Sequence, residues 1–354
     1  SLDQNPLTPE KDTVNEQRAT CTLITATRPT TVTKEFSLKP DDSLHKQTTA
    51  QVIAGRMETV WFTDLQEFAG LLKGLKTDQC LAYGVPPHSP VDLVTEKEWA
   101  ANGYPDSQIA RTNKTMNWSA GGGILMLDYD APKDGKPVYS QEEIINALYN
   151  PCPDLWQTNI LWWPSTSSCI YHKDKELTGI RGQRFYFLVK DARDIPRAGK
   201  AILAKLWAKD YGHFEVSKSG SLLERGLFDA SVWQPSRIDF AAGAKCHDDL
   251  EQRRGEPVLI EGIFEEPLDS VNVIEDPTPE EIVLAEKNKL YQKSLVAEEA
   301  KRVREEWKQE RLKVSGNPKQ YDNLNIFLEE QEVLRELVDK SLLPKLYLDV
   351  SEKN

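Results

Sequence analysis

Three aspartates stand where this sequence could do chemistry. Asp128 and Asp130 close the apolar run of Gly121-Gly122-Gly123-Ile124-Leu125-Met126-Leu127, and Asp229 closes Leu227-Phe228. Side chains alternate faces along a strand, so Asp128 and Asp130 project to one side about 7 Å apart, with Tyr129 on the other. Two carboxylates so placed repel each other, and a divalent cation removes that cost. Hard oxygen ligands of this kind suit Mg²⁺ or Mn²⁺, which keep positions open for water and phosphate oxygens. The plainer reading is a solvated strand end, because Asp130-Ala131-Pro132 is good turn chemistry, and Asp229 could likewise cap a turn. Between the acids lie Pro164-Ser165-Thr166-Ser167-Ser168 and Arg181-Gly182-Gln183-Arg184. Small hydroxyl residues and arginines can cradle a triphosphate. An ordinary turn and a surface arginine are the simpler alternatives.

The elements that must position these groups follow from periodicity. Residues 20–38 are Thr-rich and β-branched and read as strands broken near Pro29. Residues 59–85 give a strand, an amphipathic helix with Leu65, Phe68, Leu71 and Leu72 on its apolar face, and a strand at Cys80–Val85, a βαβ-like unit. Strands are expected at Ile124–Leu127, from 158 into the serine loop, and at 182–191, with a helix at Gln141–Tyr149. A helix at 195–212 has Pro196 in its first turn, and 226–244 completes a strand-rich second half. Thr278-Pro279-Glu280-Glu281 starts a charged helix running to about Leu312, followed by a break at Gly316-Asn317-Pro318 and a second helix over roughly 320–342. The expected division is a flexible lead-in at 1–19, a catalytic core at 20–253 and an acidic helical region at 254–354.

Together, in this order, these pieces resemble the archaeo-eukaryotic primase superfamily, in particular the primase-polymerases of plasmids, phages and integrated mobile elements. The family's first motif, a strand ending in Asp-x-Asp/Glu, is matched by Leu127-Asp128-Tyr129-Asp130. Its third, a hydrophobic residue followed by Asp, is matched by Phe228-Asp229, and Val232-Trp233 with Arg237 resembles the family's continuation toward an arginine on the incoming nucleotide. The second motif departs: Gly182-Gln183-Arg184 stands where Ser-x-His is expected, and neither His172 nor His213 fills the role.

The resemblance covers roughly residues 50–250. It implies an α+β fold with an N-terminal α/β module and a module like an RNA-recognition fold, followed here by a helical C-terminal appendage. It also implies template-directed nucleotidyl transfer on single-stranded DNA. Asp128, Asp130 and Asp229 would hold Mg²⁺ or Mn²⁺; Arg184, Arg237, Arg181, Ser165, Ser167 and Ser168 would bind the NTP or dNTP. Lys114, Lys218 and Arg225 are candidates for DNA backbone contacts, and Trp118 and Trp233 for base stacking. A replicative helicase, in cis or in trans, is a further partner of this class. The alternatives are a single-stranded-DNA-binding replication initiator or degenerate primase that makes no product, and a metal-dependent phosphodiesterase.

Composition is compatible with this. The net charge of −12 argues against a nucleic-acid partner at first sight, yet between Arg181 and Lys245 there are 12 Lys/Arg against 7 Asp/Glu. A phosphate-binding surface needs only local charge. The five cysteines form no CxxC pair, so reduced thiols in a cytoplasmic protein are expected. No run of apolar residues is long enough to span a membrane.

Overall fold

The computed structural model describes residues 18–48, 51–132, 138–263 and 267–315, the side chains of 312–315 excepted. The expected lead-in and the expected helix at 320–342 fall almost wholly or wholly outside these. The fold is mixed α+β, with several small sheets and a long helix toward the C-terminus.

The Thr-rich segment forms the strand Ala19–Arg28, buried on both faces. Cys21 packs into one core and Ile24 and Ala26 into another, because successive side chains leave opposite faces of the backbone. It lies inside a six-stranded sheet of order Ile238–Asp239, Gln79–Ala82, Ala19–Arg28, Ala54–Phe62, Val91–Val94, Gln108–Ala110. Ala54–Phe62 and Gln79–Ala82 both run antiparallel to Ala19–Arg28 and therefore parallel to each other. The helix Leu65–Gly74 carries the chain between them, so the expected βαβ unit is present with a third strand inserted. Asp64 starts that helix by accepting a hydrogen bond from the Glu67 amide at 2.8 Å.

A four-stranded antiparallel sheet has the order Val258–Ile260, Ile160–Pro164, Gln183–Val189, Gly123–Tyr129. Every residue of Gln183–Val189 is buried. The main core joins this sheet to the first: Phe68 meets Tyr186 edge-on at 5.3 Å, and Leu125, Phe185 and Phe187 belong to the same cluster as Cys21 and Leu81. Helices Gln141–Tyr149 and Ile195–Ala208 add Ile144, Leu148, Ile202 and Leu206 to it.

Two readings need correction. Helix Ile195–Ala208 stops before residue 212, and 226–244 is mainly irregular, with a 3₁₀ turn at Ala230–Val232 and a strand of only two residues, Ile238–Asp239. Short strands at these positions have no room for alternating apolar pairs; their backbone groups are used instead to dock loops onto neighbouring strands.

The described residues fall into two compact units, one holding residues up to His213 together with Arg225–Leu290, the other Phe214–Glu224 and the chain from Tyr291. In the first, Leu268 and Ile274 join the main core and the Asn288 amide donates to the Trp207 carbonyl at 2.9 Å. Helix Pro279–Ser315 begins with Thr278 and Glu281 each capping the other's amide. In the second, Lys293 lies 5.2 Å from the Phe214 ring, and Gly220 turns with φ +78°, where a side chain would collide with Ala300 and Arg304.

Candidate active site

Gly123–Tyr129 is an edge strand, which leaves alternate carbonyls unpaired. Two of them are taken up by the segment that carries the third acid. The Asp229 amide donates to the Asp128 carbonyl at 2.9 Å, and the Trp233 indole N–H donates to the Met126 carbonyl at 2.9 Å. Asp229 is thereby fixed to the backbone of Asp128, although 101 positions separate them in the chain. Its carboxylate accepts hydrogen bonds from the Ser231 amide (2.8 Å) and hydroxyl (2.7 Å), closing the 3₁₀ turn. Phe228 anchors the same loop, buried against Phe185. Trp233, offered above as a base-stacking candidate, is instead 5% exposed and spent on this clamp.

Gly199 lies directly beneath the Trp233 ring, where an added Cβ would overlap the indole. Gly199→Ala is therefore expected to displace the tryptophan and cost about 1–3 kcal/mol. Denaturant unfolding measures the loss, and tryptophan fluorescence reports whether the ring has moved.

On its paired side, Asp128 stands opposite Arg184 in the register of Gly123–Tyr129 with Gln183–Val189. Arg184 Nε is 3.6 Å from Asp128 Oδ1, and its Nη1 makes a 2.6 Å ion pair with Asp239 Oδ1. Asp239, 1% exposed, also accepts hydrogen bonds from Tyr83 (2.6 Å) and Tyr186 (3.1 Å) through Oδ2. This ties the Ile238–Asp239 strand of one sheet to the Arg184 strand of the other. Burial opposes the charge on Arg184, but Asp239 and Asp128 outweigh it and hold its pKa well above the usual value. Burial and the adjacent Asp239 carboxylate likewise raise both tyrosines well above theirs. Sequence reading missed Asp239, whose one signal is an acid set in Ile238-Asp239-Phe240-Ala241-Ala242.

Burial pushes the Asp128 carboxyl up to about 6; Arg184 opposes, while Asp130, Asp239 and Asp229 add to the rise. In an unfolded chain this proton leaves near pH ~4, so between those values the native state holds it and the unfolded state does not. Stability from this group is thus full at lower pH and is lost as pH rises through about 6. The difference is worth ~3 kcal/mol. Asp128→Asn is expected to be more stable than the parent by up to that amount at pH ~7.5, and equal to it near pH ~4. Urea midpoints at the two pH values check this.

The serine loop is largely occupied. The Ser165 amide and the Ser168 hydroxyl donate to the Gly182 carbonyl, Ser168 Oγ accepts from the Arg181 amide, and Thr166 Oγ1 donates to the Phe240 and Ala242 carbonyls. Ser167 differs: it is half-buried and its Oγ accepts a 2.8 Å hydrogen bond from Lys34 Nζ. The Arg181 guanidinium donates to the Pro132 carbonyl.

Arg237 and Lys114 are both exposed, and the loops that carry them are joined by Asn113, whose side chain hydrogen-bonds Gln234 (2.8 Å) and Ser236 (2.5 Å). Arg225 is exposed on the strand Leu222–Gly226. Lys218 belongs to the second unit. Trp118 is partly buried against the main core.

The donor chemistry fits a hard cation. Asp128, Asp130 and Asp229 supply carboxylate oxygens only, and Arg184 is the sole cation in ion-pair range of Asp128 among the described residues. Among the described residues, no three His, Cys, Asp or Glu side chains are gathered tightly enough to form a ready-made metal cage.

No family model, curated protein or solved structure matches this chain.

Proposed function

We propose that this chain is a primase-polymerase: a divalent-metal-dependent nucleotidyltransferase that extends nucleotides on a single-stranded DNA template. The observation that supports this reading is the 2.9 Å hydrogen bond from the Asp229 amide to the Asp128 carbonyl, which ties the backbone of the third acid to that of the first. In this reading the six-stranded sheet with its βαβ unit is the N-terminal α/β module, and the four-stranded sheet is the module like an RNA-recognition fold. Asp128, Asp130 and Asp229 would hold Mg²⁺ or Mn²⁺, which when bound stabilises charge on the attacking 3′-oxygen and the α-phosphate.

The chain's own residues do the rest. Arg184 stays protonated and holds the Asp128 carboxylate opposite its own strand. Asp128 is ionised above about pH 6, so it can ligate at neutral pH. The exposed Arg237 and Lys114 offer charge to a template or primer backbone.

A second reading is a single-stranded-DNA-binding initiator that makes no product. The Arg184–Asp128 contact favours it, since it partly satisfies one of the carboxylates a metal would need. Incubation with defined single-stranded templates and radiolabelled NTPs or dNTPs, with and without Mn²⁺, separates the two. Metal-dependent products support the polymerase. Template binding without product under any metal supports the initiator and refutes the polymerase.

A further inference from the structure

Among the described residues, Lys34 is a half-buried cation at the serine loop with no carboxylate in ion-pair range. Lys34 lies in a segment clamped on both sides. The Val32 and Thr33 amides donate to the Thr77 carbonyl (2.8 and 3.2 Å), the Thr33 hydroxyl donates to the Gly243 carbonyl at 2.7 Å, and the Lys34 carbonyl accepts from the Lys245 amide at 2.9 Å. Val32, Thr33 and Phe36 are buried. With the backbone fixed, the lysine side chain reaches across to Ser167 Oγ at 2.8 Å, and Ser165 Oγ lies 3.4 Å beyond that hydroxyl.

Among the described residues, Ser167 is the only hydrogen-bonding partner of the Lys34 ammonium, and no carboxylate is in ion-pair range of it. The contrast is local: Lys245, on the two-residue strand Lys245–Cys246, and His247 just after it both pair with Glu35. Burial holds the Lys34 pKa down to about 8, Arg184 and Lys46 reinforce that, and Asp128 and Asp130 oppose it. A half-buried ammonium without a counter-ion is costly, and an anion arriving with its own oxygens removes the cost.

Arg184 is committed to Asp239 and Asp128, and the Ser168 and Thr166 hydroxyls to backbone carbonyls. Arg254 is spent on the Pro164 and Ala241 carbonyls, which leaves Lys34 with Ser167 as a half-buried cation and hydroxyl open to a phosphate. We infer that Lys34, presented by Ser167, is the contact for the terminal phosphates of the incoming nucleoside triphosphate. This rests on the reading of the acids as a nucleotidyl-transfer site. A polyphosphate suits the position better than a DNA backbone phosphate, because the ammonium is only partly accessible and sits on the serine loop, whose Ser165 amide donates to the Gly182 carbonyl just before the Arg184 strand, whereas Arg237 and Lys114 are exposed.

The test uses the full chain and two readouts. Binding of inorganic triphosphate is measured by calorimetry with Mn²⁺ for the parent, Lys34→Ala, Lys34→Arg and Ser167→Ala, with thermal unfolding to confirm that each is folded. The KM for nucleotide in primer synthesis is measured alongside. A lost charge-assisted contact weakens triphosphate binding and raises KM by about 10- to 100-fold in Lys34→Ala. Lys34→Arg should recover most of the binding, and Ser167→Ala should lose less than Lys34→Ala. If Lys34→Ala does not fold, Lys34→Met, which keeps the buried stem, replaces it. Lys34-dependent triphosphate binding without synthesis would retain this assignment while removing the polymerase. Synthesis with an unchanged KM in Lys34→Ala would do the reverse, and a parent that binds no triphosphate overturns the assignment outright.

Discussion

Asp239→Asn is expected to destabilise the protein by about 3–5 kcal/mol. The carboxylate is 1% exposed and pairs with Arg184, and two buried tyrosine hydroxyls donate to it. An asparagine there removes the charge that offsets the buried guanidinium. Arg184 would keep one carboxylate, Asp128 at 3.6 Å from its Nε, and a long hydrogen bond to the Phe240 carbonyl, and that Nε is already buried without a hydrogen bond. Removing a single tyrosine hydroxyl should cost less, about 1 kcal/mol for Tyr83→Phe, since the carboxylate keeps its other partners. The test is a double-mutant cycle by urea unfolding with Asp239→Leu and Arg184→Met. Because the penalty comes from a stranded charge, the double variant should lose far less than the two single variants added together. Additive losses would show that Asp239 and Arg184 do not act as a unit.

The second large effect is on synthesis. Asp229→Asn and Asp128→Asn should each lower primer synthesis by about 10²- to 10³-fold, the scale set by removing a group that acts on transition-state charge. Asparagine is the informative choice at 229. It can still cap the turn by accepting from Ser231, so the loop pinned to the edge strand should hold, whereas alanine would also cost about 1 kcal/mol of capping. At 128, asparagine relieves the buried charge, so loss of activity would come with a gain in stability at neutral pH. In the parent, Mn²⁺ affinity should rise with pH through about 6 as the Asp128 carboxyl ionises. Synthesis by either asparagine variant at the parental rate would sink the site.

Much of the scaffold was legible because it depends on local periodicity. Gln141–Tyr149 has the bounds that its pattern predicts, and Leu65–Gly74 buries Leu65, Phe68 and Leu72 as expected. The Thr278 cap appears where Thr, Pro and two carboxylates mark it. Less was legible between residues 226 and 244, where short apolar runs suit a strand and a docked loop equally well. There the choice was made by unpaired carbonyls on a strand a hundred positions away.

The sequence by itself determined the order of the acids along the chain and the strand that ends at Asp128-Tyr129-Asp130, since both are properties of neighbouring residues. Only the tertiary structure decided that Arg184 stands opposite Asp128, that Asp239 neutralises it, and that Lys34 reaches Ser167. Strand register and sheet packing fix those pairings, and neither leaves a mark in the spacing of residues 133 positions apart.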